Sequence, residues 1–389
     1  MSSHLHTPPT ESTQIDRREL LSDVKRVVVK VGSSTVSRHF DLSPERIDQL
    51  VDDLATIKQG GTEVILVTSG AIAAGTGKLG LSQRPQTIPG LQAAAAVGQS
   101  RLMHAYENRF QQYDQVAGML LLTQEDFNNR KRYIHISDTL RTLLQFGVVP
   151  IINENDTVAV EEIQVGDNDT LAAYVTNLAE ADLLIILSDQ DGFYTADPRK
   201  VPDAELINVI SSITEETQRA AGESNTADGT GGMVTKLRAA EIVTGSGEMM
   251  VLANGAVPQV VNRILAGEEL GTLFLPQERM SARKRWIVYS RPPRGTLIVD
   301  NGAHDALVHR GKSLLPSGLC SVEGHFEHGD TVSCLDENRR EFARGLVNYN
   351  TQEAKAVMGK HTGEIKNILG YHYYDEVIHR DNLVLMQKA

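Results

Sequence analysis

Residues 148–169 read VVPIINENDTVAVEEIQVGDND, and the fold is decided there. Val148, Val149, Ile151 and Ile152 make a short β-branched apolar run, the pattern of a strand buried on both faces. The run turns polar at once through Asn153, Glu154, Asn155 and Asp156, and Gly166, Asp167, Asn168 and Asp169 follow after a short excursion. Taken singly, each cluster is an Asx-rich turn, the second capping a helix that starts near Asn168. Two clusters of amides and carboxylates bracketing one β excursion are instead what a ligand site at the carboxyl edge of a parallel sheet needs. Such groups suit the ammonium and carboxylate of a small zwitterion, and they also steer a metal or a lysine.

Working outward, the same pattern of buried strand and polar end recurs. Residues 26–31, RVVVKV, are a strand with Lys30 inside an apolar run, followed by Gly32, Ser33, Ser34 and Thr35. Small residues let backbone N–H groups approach an anion, and a lysine beside them adds positive charge. An unpaired lysine buried in such a strand would be costly, which tells against a plain turn. The phosphate loop G-x-x-x-x-G-K-[ST] is absent. Residues 42–59 read as a helix, with Ser43 as N-cap, Pro44 at its first position and Gly60-Gly61 as its stop. Residues 63–68 are a second buried strand ending in Ser69-Gly70 before a helix start, where backbone N–H groups would receive an anionic group. Residues 75–80 spell G-x-G-x-x-G, but they do not join a strand to a helix, so they read as a loop rather than a dinucleotide site.

Residues 90–113, 126–145 and 168–179 read as helices; 115–122, 182–187 and 248–253 read as strands, with residues 273–276 closing the unit. The strand at 182–187 ends in Ser188-Asp189. Strands that are apolar throughout and alternate with helices imply an α/β fold: a mostly parallel open sheet with helices on both faces. Residues 222–236, GESNTADGTGGMVTK, are glycine-rich and polar, then helical from about Met233. Thr230, Gly231 and Gly232 form a hinge there, and Lys236 falls on the first turn, where the helix dipole disfavours a cation. A lysine tolerated at that end suggests a polyanion nearby.

Net charge is −12 over 389 residues, and residues 277–389 carry 16 Lys/Arg against 14 Asp/Glu, so residues 1–276 hold the whole excess at −14. An acidic body argues against non-specific nucleic-acid binding. No apolar run is long enough to cross a membrane, and residues 1–23 read as a disordered polar tail without a signal-peptide core, implying a cytoplasmic protein. Two cysteines, Cys320 and Cys334, are too few for a disulfide framework and read as buried thiols. Residues 277–293 are a linker with a basic run, Arg283-Lys284-Arg285, and the single tryptophan, Trp286, as an anchor. From residue 294 short strands separated by Gly, Asp and His indicate a small β-rich, barrel-like module.

Five motifs together resemble the amino-acid kinase family, and within it the bacterial enzymes that act on free glutamate. They are KVGSS at 30–34, VTSGAI at 67–72, NEND at 153–156, VGDND at 165–169 and GTGGMVTK at 229–236, and the likeness runs from about residue 24 to 389. The C-terminal module resembles a PUA domain. The implied architecture is an amino-acid kinase domain over 24–276, the linker 277–293 and the PUA domain over 294–389. The implied activity is ATP-dependent phosphorylation of the γ-carboxylate of L-glutamate, the first step of proline biosynthesis, with ATP and Mg²⁺ required. By position, the resemblance gives Lys30 and Lys236 to the ATP phosphates, and Ser69, Asp156 and Asn168 to glutamate. It gives Gly32, Ser188, Asp189 and the loop Thr230, Gly231, Gly232, Met233, Val234, Thr235 and Lys236 to ATP. The family usually has threonine where Ser188 stands; the hydroxyl is kept. Family members are commonly homo-oligomeric and inhibited by proline, and the PUA module would bring RNA as a partner, which the residues themselves do not support.

A carboxylate is already nucleophilic at neutral pH and needs no general base. The chemical demand is to bring it to a polyanionic phosphate, so Lys30 and Lys236 are expected to flank the transferring phosphoryl, with Asp169 orienting both. Asp167 is a further candidate for the substrate ammonium, and no residue is assigned as a metal ligand. Two alternatives stand beside this reading. One is a related kinase acting on acetylglutamate, aspartate, carbamate or uridylate; the other is an RNA-binding protein with a kinase-like scaffold.

Overall fold

A computed structural model describes residues 16–158, 168–223, 232–277, 287 and 293–386. Gly166, Asp167, Thr230, Gly231 and the basic run with Trp286 fall outside the described residues.

Eight strands form one sheet: β1 (Arg26–Val31), β2 (Glu63–Thr68), β3 (Ala117–Leu122), β4 (Val149–Glu154), β5 (Leu183–Ser188), β6 (Val209–Ile210), β7 (Met249–Asn254) and β8 (Thr272–Phe274). Their spatial order is β3-β4-β2-β1-β5-β7-β8-β6, and only β7 with β8 pairs antiparallel. The chain leaves β1 toward β2 and later returns to its other side with β5. The carboxyl ends of β2, β1 and β5 therefore flank a topological switch point, where open α/β sheets bind ligands. Register aligns them: Val31 is opposite both Thr68 and Leu187.

Helices α1 (Arg17–Ser22), α2 (Pro44–Gln59), α3 (Ala71–Lys78), α4 (Ile88–Gln111), α5 (Arg130–Gln145), α6 (Asn168–Ala179), α7 (Glu215–Glu223), α8 (Met233–Thr244) and α9 (Val260–Leu265) cover the sheet. Strand alternation sorts them. Val27, Val29 and Val31 of β1 join the core under α1, α2, α4 and α9, whereas Val28 joins the core under α5, α6 and α8. Lys30 has the parity of Val28, so its side chain is directed to the face of α6 and α8. The open α/β architecture expected from the sequence is the one observed. A second sheet of five strands follows: β9 (Gly295–Val299), β10 (Leu319–Gly324), β11 (Thr331–Leu335), β12 (Glu341–Leu346) and β13 (Leu383–Leu385), in the order β10-β9-β11-β12-β13.

Three expectations are corrected. Residues 1–23 are not all tail: α1 folds against the core through Leu21, 2 % exposed, while Arg17 donates to the carbonyls of Leu270 and Gly271, each at 2.9 Å. Those carbonyls precede β8, and a guanidinium satisfies several at once, which holds so short a helix in place. The glycines at 75 and 77 are not in a loop but inside α3, because α3 and α4 cross at very close range. A Cβ on Gly75 would lie 1.8 Å from the Ala94 carbonyl oxygen, and one on Gly98 1.8 Å from that of Ala71. Cys334 is buried as expected, but Cys320 is exposed, being one residue along β10 from an inward-facing position. The sequence reading also passed over α7, α9 and the helices Asn301–Arg310 and Thr351–Val357 of the second unit.

Candidate active site

The site is built on strand ends and helix starts. Lys30 is one residue from the end of β1; Asp169 is the second residue of α6; Lys236 is on the first turn of α8. All three are buried, with Asp169 only 1 % exposed. Lys30 Nζ lies 2.6 Å from Asp169 Oδ1, and Lys236 Nζ donates to Oδ2 at 3.1 Å. Thr235 Oγ1 lies 3.0 Å from Oδ2 and 2.8 Å from the Gly232 carbonyl oxygen, and its one proton serves these two acceptors. Two ammonium groups some two hundred residues apart in sequence thus share one carboxylate. The sequence suggests a polyanion beside Lys236; the anion the structure shows there is a single carboxylate of the chain, at the positive end of α6, where a carboxylate is favoured. Burial pushes the Asp169 carboxyl up, but the charges of Lys30 and Lys236 and their hydrogen bonds outweigh this and hold it at about 2. It is ionised throughout the physiological range, and the triad carries a net charge of +1.

Beside the triad a cavity of ≈ 290 Å³ opens at the ends of β2 and β4, and Ser69, Asp156 and Asn168 all line it. A chain of amides fixes its back wall. Asn168 Nδ2 faces the Thr68 carbonyl at 3.0 Å, Ser69 Oγ at 2.7 Å and Asn153 Oδ1 at 3.1 Å. Asn153 Oδ1 also accepts from the Glu154 amide, and Asn153 Nδ2 donates to Gln99 Oε1 of α4 at 2.8 Å. Donor capacity on Asn168 is thereby consumed on the wall, which leaves its carbonyl oxygen as an acceptor. Asp156 is raised to about 6 by burial, with the charge of Arg84 pulling the other way. The α3 start contributes Gly70, at φ +110°, a conformation that favours glycine and turns the chain from strand to helix; a Cβ there would lie 3.0 Å from Val36.

The other predicted residues are placed as follows. Gly32 is the N-cap of a short helix, Ser33–Val36, and Lys30 Nζ is within 3.9 Å of where its Cβ would be. Gly232 is the N-cap of α8, Met233 is buried, Val234 is exposed and Thr235 is bound to Asp169. Ser188 and Asp189 line a second cavity of ≈ 370 Å³ with Thr35, Arg46, Asn254 and Gln259, and Ser34 lines both cavities. Sequence reasoning did not single out Arg84, Gln99 or the wall role of Asn153. Gln99 and Arg84 lie in and beside helices far along the chain from NEND, and no local pattern ties them to it. Among the described residues no cluster of three His, Cys, Asp or Glu side chains is placed to hold a metal.

Comparison with known proteins now bears on this geometry. The model of the amino acid kinase family matches residues 25–254, and that of the PUA domain matches residues 295–369. The chain belongs to the amino acid kinase family, with a PUA domain following it. Within that class it is 52 % identical to the glutamate 5-kinase of Caldanaerobacter subterraneus subsp. tengcongensis over 94 % of this chain and 98 % of that one. It is 50 % identical to the glutamate 5-kinase of Geobacter sulfurreducens over 95 % of this chain and 100 % of that one. The solved UMP kinase of Bacillus anthracis superposes with a TM-score of 0.43 at 14 % identity, covering 66 % of this chain and 97 % of that one, too loose a fit to carry an argument.

Proposed function

We infer that this chain is a glutamate 5-kinase: it transfers the terminal phosphoryl group of ATP to the γ-carboxylate of L-glutamate, giving glutamyl 5-phosphate and ADP and opening proline biosynthesis. The observation that carries the reading is the meeting of Lys30 and Lys236 on one buried carboxylate beside a cavity whose polar lining suits a small amino acid. The named relatives, half identical over nearly the whole chain, supply the reaction.

The γ-carboxylate attacks as the anion, a P–O bond forms to one of its oxygens, and the bond to the β-phosphate oxygen breaks with its electrons leaving on ADP. No proton needs to be removed. What must be met is charge: two polyanions approach each other, and negative charge shifts onto the leaving oxygen. The net +1 of the triad is fixed in place, partly excluded from water, and so acts at full strength without reorganising. Asp169 is a positioning residue: it touches neither reactant and holds both ammonium groups. Gly32 and the α8 start with Gly232 offer backbone N–H groups to the phosphates, and Thr230 and Gly231 are given to ATP by the family resemblance alone. Ser188 and Asp189 serve ATP from the end of β5. Mg²⁺ supplies charge neutralisation on the phosphates of ATP when bound. Among the described residues no group of three His, Cys, Asp or Glu could hold the ion by itself, so the phosphates of ATP would have to supply much of its coordination.

The same reading includes an amino-acid kinase domain over 24–276, a PUA domain over 294–389, homo-oligomers, inhibition by proline at or near the glutamate cavity and a cytoplasmic setting. No helix among the described residues is long and apolar enough to cross a membrane. The test is direct: purified protein with glutamate, ATP, Mg²⁺ and hydroxylamine should form γ-glutamyl hydroxamate in step with ADP. ADP formation with acetylglutamate, aspartate, carbamate or uridylate and none with glutamate would overturn it.

A further inference from the structure

Glutamate carries two carboxylates, and only one is to be phosphorylated. Nothing so far says which side chain takes the other. Among the described residues the cavity lining contains two acidic side chains, Glu154 and Asp156, and a single cation, Arg84. Lys30 and Lys236 do not line it. Arg84 lies in the segment between α3 and α4, and among the described residues no hydrogen bond or ion pair engages its guanidinium, although its charge reaches Asp156 across the cavity. A free guanidinium and a half-buried carboxylate on the lining of one cavity offer it two opposite charges. The α-carbon of an amino acid presents the matching pair, an ammonium and a carboxylate on one atom.

We propose that Arg84 is the specificity-determining residue for the substrate's α-carboxylate, with Asp156 and the Asn168 carbonyl oxygen taking the α-ammonium. This rests on the glutamate kinase reading and deepens it. Reading both α-groups at one end of the cavity leaves the γ-carboxylate as the group that extends toward Gly70 and the triad. Regiochemistry follows, because the α-carboxylate is held out of reach of the donor. So does selection for a free amino acid: an N-acetylated substrate would leave Asp156 facing a neutral amide, an unpaired charge in a half-buried place. A planar guanidinium also suits two-point binding of a carboxylate, which an ammonium does not match.

The experiment compares L-glutamate with its α-amide, which keeps the γ-carboxylate and ammonium but has no charge at the α-carboxyl. Hydroxamate formation is followed for the unaltered protein, Arg84→Gln and Arg84→Lys. For the unaltered protein kcat/KM should favour glutamate over the α-amide by about 10²-fold. Arg84→Gln should raise KM for glutamate about 10²-fold with kcat and KM for ATP held within about threefold, and should leave the α-amide nearly unaffected, so that discrimination collapses. Arg84→Lys should recover part of it. A merely structural arginine would lower both substrates together and keep their ratio, and that result overturns the proposal. Equal use of glutamate and the α-amide by the unaltered protein overturns it without any variant. Absence of hydroxamate from either substrate in the unaltered protein instead defeats the glutamate kinase reading beneath it.

Discussion

Replacing Lys236 by methionine is the sharpest test of the triad. The substitution keeps most of the buried volume and removes one charge, taking the cluster from +1 to neutral. Asp169 is not stranded by this: Lys30 remains 2.6 Å from Oδ1, and the Thr235 hydroxyl remains 3.0 Å from Oδ2. The cost in stability is therefore that of one charged hydrogen bond, about 1.5–3 kcal/mol, and the protein should stay folded. The cost in catalysis is larger. One fixed donor aimed at developing charge in a site partly excluded from water is worth about 10²–10³ in kcat, or roughly 2.7–4 kcal/mol. KM for glutamate should move less than about threefold, because Lys236 does not line the amino-acid cavity. The assay is steady-state hydroxamate formation at saturating ATP, with chemical denaturation alongside to confirm folding. Turnover within about threefold of the unaltered protein would refute the argument, since it would mean that the shared carboxylate merely neutralises two structural lysines.

The remaining predictions concern pH and packing. Asp169 is held at about 2 against an ordinary 3.8, so its contribution to stability is complete above about pH 4 and is lost as pH falls toward 2. That amounts to about 2–3 kcal/mol, read as a fall in the urea midpoint over that window; Asp169→Asn should lack the fall and, with two ammonium groups left facing each other, should be less stable by roughly 3–5 kcal/mol at neutral pH. Asp156 is raised to about 6 and must be ionised to take an ammonium, so kcat/KM for glutamate should drop about tenfold per pH unit below 6, and Asp156→Asn should abolish that limb while depressing the whole profile. Gly98→Ala would place a Cβ 1.8 Å from the Ala71 carbonyl oxygen at the first residue of α3, so it should destabilise by about 3 kcal/mol or more and raise KM for glutamate by shifting the cavity edge, both measurable on one preparation.

Sequence alone fixed what depends on short-range pattern. Runs such as RVVVKV, EVILVT and LLIILS become buried parallel strands because no face of them is polar, and the places where they break into Gly, Ser, Asn and Asp are the strand ends of the site. It also marked Lys30 and Lys236 as anomalous, one inside an apolar strand and one at the wrong end of a helix, since a charge in a costly place needs a partner. Asp169 is the expected partner of both; tertiary structure decided how one carboxylate can reach the two. Strand parity sends Lys30 to the face of α6 and α8, the crossover from β4 brings α6 back with Asp169 at its start, and only then do the two lysines share one carboxylate. Gly75 of α3, which locally belongs to a loop motif, turns out to serve a close helix crossing, while Gly77 makes room for Asp41. Arg84 and Gln99 were silent for the same reason: their roles arise from distance in space, and nothing in a neighbouring residue type records which distant surface a side chain will meet.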